Sequence, residues 1–154
     1  MGSGEAHFIA IVLGVASIGV VAMVGLSTLM EHTGMTQLLA EALSDALDRA
    51  FPLVSPVVGI LGAFATGSNN NSNVLFAPLQ ESVAELLSIA PALLVAAQTT
   101  GGSIGSMLAP AKIMVGSSTV GLHGRDGEVL RITLPYGLLI GLSIGLLTLA
   151  LAQV

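Results

Sequence analysis

The segment Ala65-Thr-Gly-Ser-Asn-Asn-Asn-Ser-Asn-Val-Leu-Phe-Ala-Pro-Leu-Gln80 decides how the rest of the chain is interpreted. Its six consecutive hydrogen-bonding side chains, Ser68 to Asn73, lie inside a stretch that carries no charge between Ala50 and Gln80. Polar groups without partners are strongly unfavourable in hydrocarbon, so such a cluster in an apolar segment needs a use. The pattern therefore indicates a binding site inside a membrane.

The composition supports a membrane location. Of 154 residues, 53% are hydrophobic and 8% are charged, and the mean hydropathy is +0.93. Soluble domains carry about 25% charged residues, so this chain has too few charges to cover a water-exposed surface. We therefore expect an all-α integral membrane protein in contact with the lipid bilayer, because helices satisfy their own backbone hydrogen bonds.

Several classes of function are excluded. One lysine, three arginines and a net charge of −5 argue against binding of nucleic acid. The absence of cysteine excludes disulfides and thiolate chemistry. Three histidines without metal-ligand spacing argue against a metal site, and no Gly-x-Ser-x-Gly motif supports a serine hydrolase. We expect a protein that is not an enzyme and that has no cofactor.

Hydrophobic runs predict the helices. Residues 8–30 and 132–154 are each free of charge over 23 residues, which as a helix is about 35 Å, enough to span a core of about 30 Å. The small residues Gly137, Gly141 and Gly145 predict a close helix contact for the second run. Residues 35–51 have an amphipathic pattern that predicts a helix lying along the membrane interface. Its apolar stripe comprises Met35, Leu38, Leu39, Ala42, Leu43, Ala46, Leu47 and Ala50.

Two irregular elements lie between these helices. Residues 52–89 form two short apolar arms around the polar tip, which predicts a re-entrant helical hairpin whose second helix starts near Ser72. Two complete membrane crossings would give the same distribution of charges on the two sides of the membrane. This alternative to the hairpin therefore remains open. Residues 90–122 predict a broken membrane helix, because adjacent Gly101 and Gly102 disfavour a continuous one. We expect its second half to begin within residues 103–106. The positive-inside rule places the N-terminus and residues 121–131 in the cytoplasm and the C-terminus outside.

Two interrupted membrane segments are typical of a transporter site. Helix N-termini inside the membrane attract a small carboxylate. Neither break contains Arg or Lys, so the hydrogen bonds to this carboxylate would come from neutral side chains. The alternative is that these side chains only satisfy one another in a packed bundle. The candidate substrate-binding residues are Ser68, Asn69, Asn70, Ser72, Asn73, Gln98, Thr99, Thr100, Gly101 and Gly102.

Two motifs resemble the lactate permease family. Residues 66–80 are similar to its Thr-Gly-Ser-x-x-x-Ser-Asn-x-Leu-Phe-x-x-Leu-Gln segment, and Ala96-Ala-Gln-Thr-Thr-Gly-Gly-Ser-Ile-Gly-Ser-Met-Leu-Ala-Pro110 resembles its Ala-Ala-x-Thr-Gly-Gly region. Two departures are Ser106, where some members carry Lys, and Asn69, where some carry Asp.

The resemblance implies proton-coupled uptake of lactate and glycolate across the inner membrane, by one repeat of an inverted-repeat transporter. It covers only the C-terminal portion of the longer family members, so a fragment, a split subunit and a compact relative remain open. The implied partner is an N-terminal-half chain or a second copy. The alternative from another class is a small non-transporting membrane protein that acts in assembly or regulation.

Overall fold

The computed structural model describes residues 3–153, and over that range the chain is helical without strands. Its helices are α1 Ser3–His32, α2 Met35–Leu47, α3 Phe51–Thr66, α4 Asn69–Leu86, α5 Pro91–Leu108, α6 Pro110–Thr119 and α7 Asp126–Leu151. A short 3-10 turn, Asp48–Ala50, joins α2 to α3. The predicted all-α class is confirmed.

Within the described residues, three helical stretches are long and apolar enough to cross a membrane: His7–His32, Met35–Thr66 and Asp126–Leu151. The first contains the predicted span 8–30, and the third contains most of the predicted span 132–154. The second joins α2 to α3, where the sequence predicted an interfacial helix and the first arm of the hairpin. The α2–α3 stretch is bent at Asp48, whose φ is 42°.

α2 contacts the rest of the protein through a face other than its apolar stripe, and its predicted position along the membrane interface stays a prediction. α2 buries the small residues Thr36, Ala40 and Ser44, whereas Leu38 is 67% exposed. Of the predicted stripe, only Leu43 and Leu47 pack against the core. Small side chains let helices approach closely, and a helix with lipid outside has no need to hide its large apolar residues.

The core is built from α3, α4 and α5. α3 and α4 form an antiparallel hairpin joined at Gly67 and Ser68, and α5 packs along both of them. Near the open end of the hairpin, Phe51, Leu79, Val83 and Leu94 are buried together and α2 covers them through Ala40. The hairpin form predicted for residues 52–89 is therefore present.

Glycines set the distance between α3 and α5. A Cβ at Gly59 would overlap the Gln98 carbonyl oxygen, and a Cβ at Gly105 would overlap that of Ile60. α7 uses the same device: Gly137, Gly141 and Gly145 are buried against Leu108, Ile60 and Leu53, as predicted. The helix backbones consequently touch along most of the length of α3.

Substituting Gly105→Ala tests this contact. The added methyl group has no room against the α3 backbone, so we expect a loss of about 1–3 kcal/mol in the free energy of unfolding. The measurement is unfolding in detergent followed by far-UV circular dichroism. Gly116→Ala is the control, because nothing lies near an added Cβ there and alanine favours a helix by about 0.5–1 kcal/mol. Equal stability changes in the two variants would contradict the packing described.

Candidate functional site

The hairpin tip is a two-residue connection. Gly67 ends α3 in the left-handed conformation, with φ 71°, and Ser68 is extended and begins α4 as its N-cap. The Ser68 hydroxyl accepts a hydrogen bond from the Asn71 backbone N–H at 3.3 Å, and the Ser68 N–H donates to the Thr66 hydroxyl, also at 3.3 Å. Capping of this kind satisfies N–H groups that the helix itself leaves free.

The asparagine run is helical. α4 begins at Asn69, three residues earlier than the predicted start near Ser72, because Ser68 supplies the cap. Helical spacing then separates the side chains: Asn69 and Asn73 face α5, Ser72 faces α3, and Asn70 is exposed. Only one face of the run therefore takes part in the contact with α5.

α5 is continuous from Pro91 to Leu108, so the predicted break between Gln98 and Ser103 is wrong, as is the predicted helix start within residues 103–106. Gly101 and Gly102 are buried, and a Cβ at Gly101 would overlap the Pro56 carbonyl oxygen. The glycine pair serves close packing, whose energy outweighs the low helix propensity of glycine.

The actual interruption is at Ala109, where the backbone is extended at φ −59° and ψ 132°. Pro110 follows, and it disfavours helical backbone at the preceding residue and provides no N–H donor. The broken-helix prediction for residues 90–122 thus holds in outline, with the interruption displaced by about two turns. Because of this displacement, Lys112 lies just after the interruption, whereas the two predicted breaks, residues 68–73 and 98–103, contain no Arg or Lys.

Four buried or half-buried side chains form the centre of the hairpin–α5 contact. The Gln98 amide donates to the Ser72 carbonyl oxygen at 3.2 Å and to Asn73 Oδ1 at 3.4 Å. Thr99 donates to the same Asn73 oxygen at 3.3 Å, and the Ser72 hydroxyl donates to the Gly59 carbonyl oxygen at 3.2 Å. This network joins α5 to α4, and α4 to α3.

Nearer the tip, Asn69 Nδ2 donates to the Ser103 hydroxyl at 3.0 Å, and Ser103 in turn donates to the Thr99 carbonyl oxygen at 3.1 Å. Gly102 makes room for the Asn69 side chain, because a Cβ there would overlap Asn69 Oδ1. The side chain of Asn69 therefore lies flat against α5.

The candidate residues divide into two groups. Asn69, Ser72, Asn73, Gln98, Thr99 and Gly102 come together in the hairpin–α5 contact. The other four are placed differently: Ser68 caps α4, Gly101 packs on α3, Asn70 is exposed, and exposed Thr100 bonds to the Ala96 carbonyl oxygen of its own helix at 2.8 Å.

Sequence reasoning missed two further polar contacts. Fully buried Ser55 lies 2.9 Å from Gln80 Oε1 and 3.0 Å from the Leu94 carbonyl oxygen, to which its hydroxyl donates. At the tip, the Ser106 hydroxyl donates to the Gly67 carbonyl oxygen at 3.3 Å. The sequence contained a signal for each contact. Ser55 lies between two prolines in an apolar run, and Ser106 lies one turn beyond the glycine pair.

Two amide oxygens of the contact lack a donor. Gln98 Oε1 and Asn69 Oδ1 are buried and accept no hydrogen bond from the part of the chain that the structure describes. A buried acceptor without a donor is unfavourable, by about 1–3 kcal/mol. The hairpin–α5 contact is therefore not fully satisfied by its own side chains, and Lys112 lies beside it as a cation.

Together, the apolar helices and the buried polar contact between a helical hairpin and a broken helix define the class, a helical membrane protein with an internal polar site. A family model described as L-lactate permease matches residues 9–154. The chain belongs to the L-lactate permease family.

Relatives among curated proteins agree with this assignment. The chain is 38% identical to the L-lactate permease of Escherichia coli (strain K12) over 136 residues, which are 88% of this chain and 24% of that protein. It is 39% identical to the glycolate permease GlcA of the same strain, over 91% of this chain and 24% of the relative. The L-lactate permease of Bacillus subtilis (strain 168) is 34% identical over 84% of this chain and 23% of its own length.

The chain thus spans about a quarter of the length of these relatives. Permeases are transport proteins embedded in membranes, and they are not enzymes. No solved structure matches the chain.

Gln98→Leu tests the network at its centre. The change removes the amide that serves Ser72 and Asn73 and leaves buried acceptors without a donor, so we expect a loss of about 1–3 kcal/mol in the free energy of unfolding in detergent. Thr100→Val is the matched control, because that hydroxyl bonds only within its own helix; its effect should stay below about 0.5 kcal/mol. A Gln98→Leu variant as stable as the wild type would show that the network does not hold the hairpin on α5.

Proposed function

We propose that the chain forms the C-terminal part of a secondary transporter for lactate- and glycolate-type 2-hydroxymonocarboxylates. The observation that carries the proposal is the buried polar contact between the hairpin tip and α5, set in a helical membrane protein of the L-lactate permease family. The substrate class follows the printed names of the relatives, which are lactate and glycolate permeases.

The chemistry of the site suits such a substrate. A 2-hydroxy acid offers one hydroxyl donor and a carboxylate that accepts several hydrogen bonds. Amide and hydroxyl side chains at the tip can serve both, and the first turn of α4 adds the positive end of a helix dipole. Asn70, Thr100 and Ser103 are exposed, which leaves polar groups for a substrate to contact.

Alternating access is the proposed mechanism. α3, α4 and α5 are joined by backbone contacts and by the polar network, so we infer that they move as one body with the substrate at the hairpin tip. The proposed architecture also includes a re-entrant path of the hairpin and an inverted second repeat. The proposed location is the inner membrane, with residues 121–131 and the N-terminus in the cytoplasm and the C-terminus outside.

Proton symport is proposed from the family resemblance. The acidic residues of α4 are Glu81 and Glu85, and both are exposed at the end of the helix away from the tip. A coupling proton therefore has no acceptor of its own within the hairpin–α5 contact of the described chain. We place proton binding either on the substrate or on a group that a partner supplies.

The proposed partner is an N-terminal-half chain or a second copy. The relatives are about four times longer than the matched segment, and the apolar window of α1 is 0% buried in the structure. A large uncovered apolar surface is expected where further transmembrane helices or lipid cover it. A non-transporting assembly or regulatory protein is the second candidate, and the permease names of the relatives disfavour it.

Uptake of labelled lactate into proteoliposomes tests the proposal, with and without an inward proton gradient. The chain is tested alone and together with the Escherichia coli L-lactate permease truncated before the segment that it matches. We expect saturable uptake in at least one of these preparations and a faster rate with the gradient. Insertion and stable folding without lactate uptake in both would favour the non-transporting alternative.

Asn73→Ala tests the site within the same assay. Its amide oxygen organises Gln98 and Thr99, so its loss should lower the initial rate of lactate uptake by about tenfold or more, which is about 1.4 kcal/mol of binding or barrier energy. Insertion should be unchanged. Gln37→Ala is the matched control, because that amide lies on α2 and bonds only to Glu41. Wild-type uptake by Asn73→Ala would remove the hairpin–α5 contact from the proposed site.

A further inference from the structure

Lys112 is the only lysine of the chain and the only Asp, Glu, Lys or Arg residue between Glu85 and Arg125. It lies in the first turn of α6, three residues after the interruption at Ala109. Its ammonium donates to the Ser106 hydroxyl across that interruption. Residues six apart face different sides of an unbroken helix, so the extended backbone at Ala109 is what allows this contact.

The contact continues to the hairpin tip. Ser106 accepts from Lys112 and donates to the carbonyl oxygen of Gly67, the left-handed residue that ends α3. A lysine near the end of a membrane helix commonly extends its ammonium towards water. Lys112 is exposed as a residue, but its ammonium turns back to Ser106, beside the connection between α3 and α4.

The ammonium has no acidic partner among the described residues. The ion pair found in that part of the chain joins Arg125 to Glu128 at 2.5 Å on an exposed turn. An ammonium has three donor hydrogens, and the Ser106 hydroxyl engages one. An unpaired cation beside a buried polar contact of a membrane protein is a candidate for a binding pathway. An anion from outside the described residues can bind to the donor hydrogens that Ser106 does not engage.

We propose that Lys112 binds the carboxylate of the transported acid and selects for its negative charge. This inference rests on the proposed function and adds the charged group that recognises the substrate. Ser106 and Ser103 are neighbours on α5, about 5–6 Å apart at their Cβ atoms as for any helical i, i+3 pair. A 2-hydroxy acid with its carboxylate on Lys112 can therefore place its hydroxyl near exposed Ser103, to which the Asn69 amide donates.

Direct binding is tested on the chain labelled only with ¹³C,¹⁵N-lysine, in nanodiscs. Its single lysine gives one assigned set of side-chain NMR signals. We expect the Lys112 Cε–Hε signal to move saturably with L-lactate and to stay in place with lactamide, the neutral analogue, at equal ionic strength. Failure of the signal to move while radiolabelled lactate binds to the same sample would overturn the inference and leave the proposed function intact.

Variants separate charge recognition from a structural role of the contact. Equilibrium lactate binding should weaken by about tenfold to a hundredfold in Lys112→Gln, the effect of losing a charged hydrogen bond. Lys112→Arg should recover most of it, and Arg131→Gln, which removes an exposed cation on α7, should bind as the wild type. Ser106→Ala keeps the ammonium and should lose far less affinity than Lys112→Gln.

The remaining outcomes are equally decisive. Equal losses in Ser106→Ala and Lys112→Gln would assign Lys112 a purely structural role and overturn the inference. Wild-type affinity in Lys112→Gln would do the same while the proposed function stands. If neither the wild-type chain nor its complex with the truncated Escherichia coli permease binds lactate, the proposed function fails and the inference fails with it.

Discussion

The direct contact between the backbones of α3 and α5 is the constraint on which the rest of the structure depends. Gly59, Gly101 and Gly105 have no Cβ, and an added one would overlap carbonyl oxygens of the facing helix. This closeness brings the amide of Gln98 within reach of the hairpin and gives Asn69 a flat surface at Gly102. Without it, the polar side chains of α4 and α5 would face hydrocarbon unpaired, so the packing and the polar network require each other.

Function follows from the same arrangement if the hairpin and α5 move together. The three helices α3, α4 and α5 present a polar tip at Gly67 and Ser68. The interruption at Ala109 lies close to this tip, because Ser106 bonds to the Gly67 carbonyl oxygen. The glycines of α7 let this body pack closely against a long apolar helix. In the proposed mechanism this unit carries the substrate. The relatives are about four times longer than the segment that the chain matches, so most of their sequence lies outside it.

The sequence predicted the features that depend on local composition. The charge-free runs gave α1 and α7, the polar segment at residues 68–73 gave the hairpin and its tip, and the spacing of Gly137, Gly141 and Gly145 gave a helix contact. It failed where tertiary contacts decide. Glycine has low helix propensity, but Gly101 and Gly102 stay helical because α3 packs on them. The cation beside the tip was missed because its position depends on where α5 ends, and Pro110 was not recognised as that signal.

The most direct test of the central claim is cross-linking between the hairpin tip and α5 in a membrane. The chain has no cysteine, so Asn69→Cys and Ser103→Cys can be introduced together without background. The two native side chains are 3.0 Å apart, and a short bifunctional thiol reagent should join them in most molecules. The pair Asn69→Cys and Ser143→Cys, whose second position is exposed on α7, should remain unlinked. Two results together would contradict the account. The cysteines at positions 69 and 103 would fail to cross-link, and both would react with a membrane-impermeant maleimide as fast as a cysteine placed at exposed Gly124.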